Sequence, residues 1–252
     1  MTVKSAQRVL EILEYLASTH EPATVAEVSR QLQFPQSSTS MLLHSLEKLG
    51  YLTYDPAGRC FRPTVRVMLL GSWMQDEIFG EGSLVSAMDS LRRSTGQTIM
   101  VGLRQGIHVR FILALRGTRA NALQVRAGTL ASVCLSSVGK ALLAHESDAT
   151  ILRIVRHANA VDPLSRQRVH AQSLLEEIRE SRMRGWMESC DFPSAGRCAI
   201  ATPLPLIPNQ PALGLCIGTS TALMQRERNS LVAALIQARE TLGAMTQRRV
   251  TG

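Results

Sequence analysis

Residues 24–62, TVAEVSRQLQFPQSSTSMLLHSLEKLGYLTYDPAGRCFR, decide the fold of the N-terminal part of this chain. Thr24 and Glu27 have the spacing of a capping box, in which the threonine hydroxyl accepts from the Glu27 amide and the glutamate carboxylate reaches back. The short apolar helix that follows must end at Gln33–Phe34, because Pro35 disfavours the helical conformation in the residue before it. Pro35 can then open a second helix. This order of helix, break and helix predicts a helix-turn-helix.

The second helix, residues 36–49, has two different faces. Its apolar stripe consists of Leu42, Leu43, Leu46 and Leu49. Hydroxyl groups, one amide and no acid before Glu47 suit a helix whose N-terminus enters the major groove of DNA. The residues predicted to contact DNA are Arg30, Gln36, Ser37, Ser38, Ser40, Met41, His44, Lys48 and Arg59. Those expected to read bases are Ser37, Ser40, Met41 and His44, and those expected to hold phosphates are Arg30, Lys48 and Arg59.

A β-hairpin is predicted directly after this helix. Gly50 ends the helix, and Tyr51–Tyr54 and Arg59–Arg62 are the strands on either side of the turn Asp55-Pro-Ala-Gly58. The hairpin is the wing of a winged helix-turn-helix, and Arg59 at its tip can reach the DNA backbone or minor groove. The alternative is a helical hairpin inside another core, with its serines simply solvated.

Length and hydropathy indicate a globular chain. The 252 residues suffice for one large or two ordinary domains, and 45% hydrophobic residues supply a sizeable core. No apolar run approaches the ~18–20 residues that span a bilayer. The N-terminus, MTVKSAQRVLEILEYL, is an amphipathic helix rather than a signal peptide. We therefore expect a cytoplasmic protein with no membrane partner.

The net charge of +8 suggests an anionic partner, but it is unevenly distributed. Residues 1–65 hold six basic and six acidic residues, whereas residues 66–252 hold 22 basic and 14 acidic ones. A neutral DNA-reading head implies weak nonspecific affinity per monomer. A dimer that doubles the contacts would strengthen binding.

The five cysteines, at positions 60, 134, 190, 198 and 216, include no C-x-x-C pair. Their scatter and odd number argue against a disulfide scaffold or structural zinc, and predict reduced, mostly buried thiols. The six histidines show no ligand spacing. We therefore expect neither a metal nor another cofactor.

Another helix is predicted after the wing, in the sequence VRVMLLGSWMQDEIFG that begins at Val65. Its apolar face consists of Val65, Met68, Leu69, Trp73 and Met74. Such a face indicates a linker helix that packs against a partner subunit, although packing against its own domain is the alternative. The rest of the chain alternates helices with antiparallel strands, which indicates an α+β sensor-type domain. The predicted domains are 1–64, the linker 65–81, and 82–252.

Five stretches, in this order along the chain, resemble the IclR family of bacterial transcription regulators. They are SAQRVLEILEYLA at 5–17, FPQSSTSMLLHSLEKLGYL at 34–52, DPAGRCFRPT at 55–64, LSSVGKALLA at 135–144 and GRCAIATPLP at 196–205. The resemblance implies a non-enzymatic homodimer or homotetramer that binds a pseudo-palindromic DNA operator. It also implies a GAF-like C-terminal domain, whose small-molecule effector changes operator affinity or contact with RNA polymerase. Gln36 and Met41 stand where the family often has basic residues, so the operator sequence is expected to differ.

The resemblance also implies an effector site, because family members commonly bind small organic acids there. The amides of Ser137 and Val138, in the segment Ser136–Gly139, would face the ligand. Further positions fall on Ser189, Ala199 or its neighbour Cys198, Cys216 and Gly218. Most polar anchors of the family are replaced in this chain. We therefore expect a ligand that is larger or more apolar than a compact keto acid.

Two other interpretations of the second half remain open. Ser137 and Lys140 have the S-x-x-K spacing of serine acylases, which would make the protein hydrolytic, with a winged head that mediates protein contacts. The chain lacks the companion S-D-N and K-T-G motifs, so an ion-paired or solvated Lys140 is the simpler interpretation. Five arginines could line an anion pocket or form a solvated face. They are Arg104, Arg110, Arg116, Arg119 and Arg126.

Overall fold

The computed structural model describes residues 3–19, 21–70, 84–161 and 168–247. The chain forms two compact units, Met1–Gln75 and Asp76–Gly252. Within the described ranges, no helix is long and apolar enough to cross a membrane. The exact limits predicted for the domains and the linker remain predictions, because the segment that joins the units falls in the undescribed range 71–83.

The first unit is a winged helix-turn-helix, as predicted. Its elements are α1 (Lys4–Thr19), β1 (Ala23–Thr24), α2 (Val25–Leu32), α3 (Gln36–Lys48), β2 (Leu52–Asp55), β3 (Cys60–Pro63) and α4 (Val65–Leu69). The three strands form an antiparallel sheet in the order β1-β3-β2. Its core joins the helices to the wing through Ile12, Leu16, Val28, Leu43, Leu46, Leu52 and Phe61.

The capping box and the proline break organise this unit. The Glu27 amide donates to Thr24 Oγ1 at 3.2 Å, and the Thr24 amide donates to Glu27 Oε2 at 2.8 Å. Gln33 ends α2 in the left-handed conformation, with φ 55°. Pro35 is the residue immediately before α3, and its carbonyl accepts from the Thr39 amide at 3.0 Å. The predicted break is therefore present and spans three residues, Gln33–Pro35, because Pro35 precedes the second helix instead of opening it.

One sequence expectation for the first unit is wrong. Leu49, expected in the apolar stripe, is exposed because it follows the last residue of α3. Helix α4 lies within the predicted linker, and the linker residues Trp73 and Met74 lie outside the described residues.

The second unit has the predicted α+β class. Its helices are α5 (Leu84–Thr95), α6 (Ser137–Leu143), α7 (Asp148–Val161), α8 (Ala171–Arg184) and α9 (Thr221–Gln247). Its strands are β4 (Thr98–Gln105), β5 (His108–Leu115), β6 (Leu130–Ser132), β7 (Met187–Cys190), β8 (Arg197–Pro203) and β9 (Leu213–Ser220). They form one antiparallel sheet in the order β6-β5-β4-β9-β8-β7.

Helices cover both faces of this sheet and create two cores. One core packs α6, α7 and α8 on residues such as Met100, Ala201 and Cys216. The other packs α5 and α9 on residues such as Ile99 and Ile217. Neighbouring residues of a strand therefore belong to different cores, because side chains alternate between the two faces of a sheet.

The prediction of reduced thiols throughout is wrong for one pair. A disulfide joins Cys190 to Cys198, and their Cα atoms lie 4.1 Å apart. The physical reason is strand register, since the two residues are directly opposite each other in the β7–β8 ladder. Cys134 and Cys216 are buried thiols outside any disulfide, and Cys60 is a half-buried one.

Candidate functional site

The solvent-facing side of α3 is the candidate DNA-reading surface. Of the predicted residues, Gln36, Ser37, Met41, His44 and Lys48 are exposed, and Ser38 and Ser40 are half-buried. Met41 has 66% of its surface accessible. This exposure leaves Met41 free to contact a partner, although a single exposed apolar side chain does not by itself mark a binding surface.

Two of these side chains are held by intramolecular contacts. The Ser38 hydroxyl donates to the Pro35 carbonyl at 2.9 Å and accepts from Arg8 Nη1 at 3.4 Å. The His44 ring lies 2.8 Å from Glu47 Oε2 through Nδ1, and its edge contacts the rings of Tyr54 and Phe61. Ser38 therefore supports the helix N-terminus, whereas His44 is oriented by its neighbours.

Basic residues border this surface on other elements. Arg30 is exposed in the last turn of α2, and Arg59 is exposed in the wing with φ 50°. The sequence prediction omitted Ser45, which is exposed on α3 and lies one helical turn from Met41. The signal for Ser45 was present in the sequence, because residues four apart share a helix face.

The second unit contains a mostly apolar cavity of about 160 Å³ beside the sheet. Six of the nine predicted effector residues line it: Ser136, Ser137, Val138, Ser189, Ala199 and Cys216. The other lining residues are Met100, Phe111, Leu123, Val125, Thr129, Leu130, Ala131, Phe192 and Pro193. The cavity is thus bounded by the N-terminus of α6, the face of the sheet and two loops.

Serine hydroxyls form the polar part of the cavity. The Ser137 amide donates to Ser189 Oγ at 3.1 Å, and Ser137 Oγ lies 3.8 Å from Cys216 Sγ. Burial raises the pKa of the Cys216 thiol to about 12, so the thiol is protonated at neutral pH. Ser136 caps α6, since its hydroxyl accepts from the Gly139 amide at 3.1 Å and donates to the Ser132 carbonyl at 2.7 Å. These groups offer hydrogen bonds and no formal charge.

The three remaining predicted effector residues do not line the cavity. Cys198 belongs to the opposite core, because a shift of one residue along β8 exchanges the faces of the sheet. A Cβ on Gly139 would lie 2.1 Å from the Val133 carbonyl oxygen, so this glycine permits close packing of α6. A Cβ on Gly218 would lie 2.6 Å from Leu123 Cδ2, so this glycine makes room for a cavity wall.

The apolar walls were missed by sequence reasoning. Met100 and Phe111 come from β4 and β5, Leu123 and Val125 come from the segment before β6, and Phe192 comes from the β7–β8 loop. Because side chains alternate between the two faces of a sheet, Met100 and Phe111 could have been listed in advance as candidates for the face that borders the cavity. The loop residues carry no local signal, because only tertiary packing brings them to the cavity.

The basic residues proposed for other chemistry have different partners. Lys140 Nζ pairs with both carboxylate oxygens of Glu177, at 2.8 and 2.9 Å, and not with Ser137. Arg104 and Arg119 form ion pairs with Glu146 and Glu227. None of the five arginines considered in the sequence lines the cavity: four are exposed, and Arg110 is half-buried and donates to Gln105 Oε1 at 2.9 Å.

A winged helix-turn-helix followed by a ligand-sized cavity in an α+β domain places the chain among the helix-turn-helix transcriptional regulators. Residues 5–56 match the IclR helix-turn-helix domain, and residues 83–243 match the C-terminal domain of the bacterial transcriptional regulator IclR. The chain belongs to the IclR family.

Individual relatives agree with this assignment. The HTH-type transcriptional regulator BhcR of Paracoccus denitrificans (strain Pd 1222) is 24% identical over 255 residues, which cover 99% of this chain and 90% of BhcR. The fold matches an IclR transcriptional regulator from Alicyclobacillus acidocaldarius with a TM-score of 0.77 at 20% identity, covering 98% of this chain and 100% of that one. It also matches an IclR homolog from Microbacterium hydrocarbonoxydans, solved with 4-hydroxybenzoate, with a TM-score of 0.74 at 17% identity and 97% and 99% coverage.

Proposed function

We propose that this protein is a sequence-specific transcriptional regulator whose affinity for a pseudo-palindromic operator is controlled by a small molecule bound in the 160 Å³ cavity. The cavity carries this proposal. A ligand-sized space with apolar walls and buried hydroxyls does not stabilise the fold, because its lining atoms lack packing partners, so a binding role explains it better. A ligand can control the operator only if it binds the high-affinity and low-affinity states differently. The effect on transcription could be repression, activation or a change in contact with RNA polymerase.

In the proposed DNA complex, the exposed face of α3 enters the major groove. Ser37, Met41 and His44 read base edges, while Lys48 and Arg59 contact phosphates. The formal charge of residues 1–65 is zero, so few phosphates are neutralised by each head. Two winged units of a dimer, bound in successive major grooves, would together reach an affinity that a single unit does not.

A homodimer is supported by the exposed start of the linker helix. The apolar residues of this segment are Val65, Met68, Leu69 and Leu70, each more than half accessible. Exposed apolar residues this close together in sequence indicate a contact with another chain. A homotetramer would require a second interface, for which we propose no surface. The cytoplasmic location follows from the proposed role, because the operator is there.

The proposed effector is an organic acid with a single ring or a similar apolar body. An apolar cavity of about 150 Å³ accommodates benzene. The cavity of this protein has a similar volume. The Ser137 and Ser189 hydroxyls can donate to a carboxylate, while Met100 and Phe111 contact the ring. The Microbacterium homolog binds 4-hydroxybenzoate, which has this chemistry. A keto acid would leave the apolar walls unfilled.

Fluorescence anisotropy tests the regulator role directly. The purified chain is titrated into duplex DNA from the region upstream of its own gene, with a scrambled duplex as control and with salt varied. We expect tighter binding to the native duplex, and a change in that affinity with benzoate or 4-hydroxybenzoate but not with pyruvate. Equal, strongly salt-dependent binding to both duplexes, with or without the acids, would contradict the proposal.

The geometry does not favour the hydrolytic alternative. A serine acylase needs its lysine against the nucleophilic hydroxyl, whereas Lys140 pairs with Glu177 and the Ser137 hydroxyl adjoins a protonated thiol. A burst of product from an activated ester that disappears in Ser137→Ala, but persists in Ser136→Ala, would revive this alternative.

A further inference from the structure

The pair Cys190 and Cys198 is held in place by the fold. The Asp191 amide donates to the Arg197 carbonyl at 2.7 Å, which makes residues 191 and 197 a hydrogen-bonded pair of the antiparallel ladder. The next pair, Cys190 and Cys198, is therefore a non-hydrogen-bonded pair. Side chains at such positions are the closest in an antiparallel sheet. The two sulfur atoms are therefore neighbours whether or not they are bonded.

The two cysteines differ in accessibility. Cys190 is exposed on the edge strand β7, whereas Cys198 is buried on β8. An oxidant in solution thus meets Cys190 first, and Cys198 is positioned to react with it next. This combination of one accessible thiol and one adjacent resolving thiol is typical of reversible redox sites.

The pair closes the base of a hairpin loop that forms part of the cavity wall. Phe192 and Pro193 of this loop line the cavity, as do Ser189 and Ala199, the residues next to the two cysteines. Apart from the disulfide, the loop is held by a 2.8 Å hydrogen bond from the Gly196 amide to Asp191 Oδ1 and by contacts of its main chain. A covalent bond at its base restricts the opening of this wall.

We propose that Cys190 and Cys198 form a reversible thiol–disulfide switch that sets how firmly the 191–197 loop closes the effector cavity. The structure holds the disulfide form, whereas a DNA-bound regulator works in a compartment that keeps thiols reduced, so the pair passes between a dithiol under reducing conditions and a disulfide that acts as the signal. The link to effector binding rests on the proposed function of the cavity. Formation of the disulfide and restriction of the loop do not.

The proposed oxidant is a low-molecular-weight disulfide such as oxidised glutathione. The Cys190 thiolate attacks one sulfur of the oxidant, which breaks its S–S bond and releases one reduced thiol. The Cys198 thiolate then attacks Cys190 Sγ in the mixed disulfide, which forms the intramolecular bond and releases the second thiol. The two cysteines lose two electrons and two protons in total, and the oxidant gains them.

A metal site is the competing explanation of the same cluster. The ligand atoms of Glu188, Cys190 and Cys198 lie within 4.8 Å of one another, which suits a thiolate-binding ion such as zinc. Glu188 is already paired with Arg228 Nη2 at 2.5 Å, and the structure bonds the two sulfurs to each other. These contacts favour the disulfide, and zinc becomes an outcome of the test.

The first experiment measures the thiol state of the full-length chain. The protein is equilibrated in glutathione buffers of increasing oxidised fraction, quenched with acid, unfolded, alkylated and mapped by peptide mass. We expect one disulfide, between Cys190 and Cys198, in the native chain and equally in Cys60→Ser. Cys198→Ala should instead accumulate a mixed disulfide on Cys190.

Three results would overturn the switch. The first is alkylation of both cysteines as thiols after the most oxidising buffer, and the second is a disulfide from Cys190 to another cysteine or to a second chain. The third is tightly bound zinc in the reduced protein that protects both thiols from alkylation. In each case the paired sulfurs would have a different role or none.

The second experiment measures the loop itself by hydrogen exchange. Amides in a peptide that spans residues 191–197 should exchange about tenfold more slowly in the disulfide form, because a cross-link restricts local opening. The Cys190→Ser protein should exchange at the fast rate in both buffers. Equal rates for oxidised and reduced native protein would overturn the proposed control of the loop.

Binding of benzoate to both redox forms then separates the two proposals. A severalfold difference in its dissociation constant is expected if loop closure governs access to the cavity. Equal affinities in the two forms would overturn the link to the effector. If neither form binds benzoate or 4-hydroxybenzoate, the proposed effector class fails, while the disulfide and exchange results stand on their own.

Discussion

The main-chain amide of Ser137 donates a 3.1 Å hydrogen bond to the hydroxyl of Ser189, which joins the first turn of α6 to the edge strand β7. Both groups are buried, and both residues line the cavity. The Ser189 hydroxyl still has its own hydrogen to donate. A ligand that accepts this hydrogen bond would bind to a hydroxyl that itself connects α6 with β7, so its binding would affect both elements.

Ser189→Ala is expected to destabilise the second unit by about 1–3 kcal/mol, since it leaves the buried Ser137 amide without an acceptor. Chemical unfolding measures this loss. The matched control is Ser132→Ala, because the Ser132 hydroxyl is also buried but has no hydrogen-bond partner in the described part of the chain. Its removal should be nearly neutral. Equal losses in the two variants would contradict the role given to Ser189.

Ala199→Leu is expected to abolish stabilisation by ring-containing acids. The added side chain would occupy the cavity, which Ala199 lines from β8. Thermal unfolding with and without 4-hydroxybenzoate measures the effect, because a ligand that binds only the folded state raises the midpoint. Ala160→Leu is the control, since it adds the same volume to an exposed residue of α7 that does not line the cavity. A midpoint shift that survives in Ala199→Leu would place the ligand elsewhere.

The N-terminal fold could be predicted in detail because its signals are local. The Thr24–Glu27 box and Pro35 fix where helices begin and end, and both act through residues at most four apart. Leu49 was misplaced because helical periodicity was continued one residue past the end of α3. Gly50 located the end of this helix to within one residue, but the exposure of that last residue depends on packing that local rules do not describe.

The cavity was only partly predictable. The family resemblance located Ser137, Ser189 and Cys216. The choice between Cys198 and Ala199 depends on the register of the strand, because an error of one residue moves the side chain to the other face of the sheet. The cysteine pair was overlooked because no C-x-x-C motif is present. Its positions on either side of the turn sequence DFPSAGR were the available signal, since a hairpin places residues equidistant from its turn opposite each other.

Met41→Glu is expected to reduce operator affinity at least about tenfold without changing the stability of the fold. The side chain is exposed, and a carboxylate on α3 would be repelled by the phosphates and would lose contact with a base. Anisotropy titration measures the loss. Met183→Glu is the control, because Met183 is 91% accessible on α8 in the second unit. Similar losses in both variants would mean that charge alone, and not the α3 surface, is responsible.

The substitutions Met68→Asp and Leu69→Asp are each expected to weaken self-association by about 2 kcal/mol or more. Both side chains are exposed on α4, with accessibilities of 66% and 55%, and an aspartate buried in an interface there would be desolvated. Analytical ultracentrifugation measures the dissociation constant. Leu206→Asp, at an exposed leucine of the second unit, should leave it unchanged. An unaltered mass in the α4 variants would exclude this segment from the interface.

Glu27→Gln is expected to lower stability in a manner that depends on pH. Hydrogen bonds from the Thr24 amide and hydroxyl hold the pKa of Glu27 below its ordinary value of 4.5. The folded state therefore gains stability from the charged form above pH 4.5, and this gain is lost as the pH falls through the lowered pKa. Urea unfolding across this range should show a gap between native and variant protein at neutral pH that closes in acid.

Two further variants distinguish the capping box from a simple charge effect. Thr24→Ala removes the hydroxyl that caps α2, and should cost about 1 kcal/mol at neutral pH. Glu21→Gln removes the same charge from an exposed loop residue before β1, and should change stability little. Because α2 packs against α3, a loosened α2 should also weaken operator binding. A gap between native and Glu27→Gln protein that stays constant in acid would show that the carboxylate's charge does not contribute to the cap.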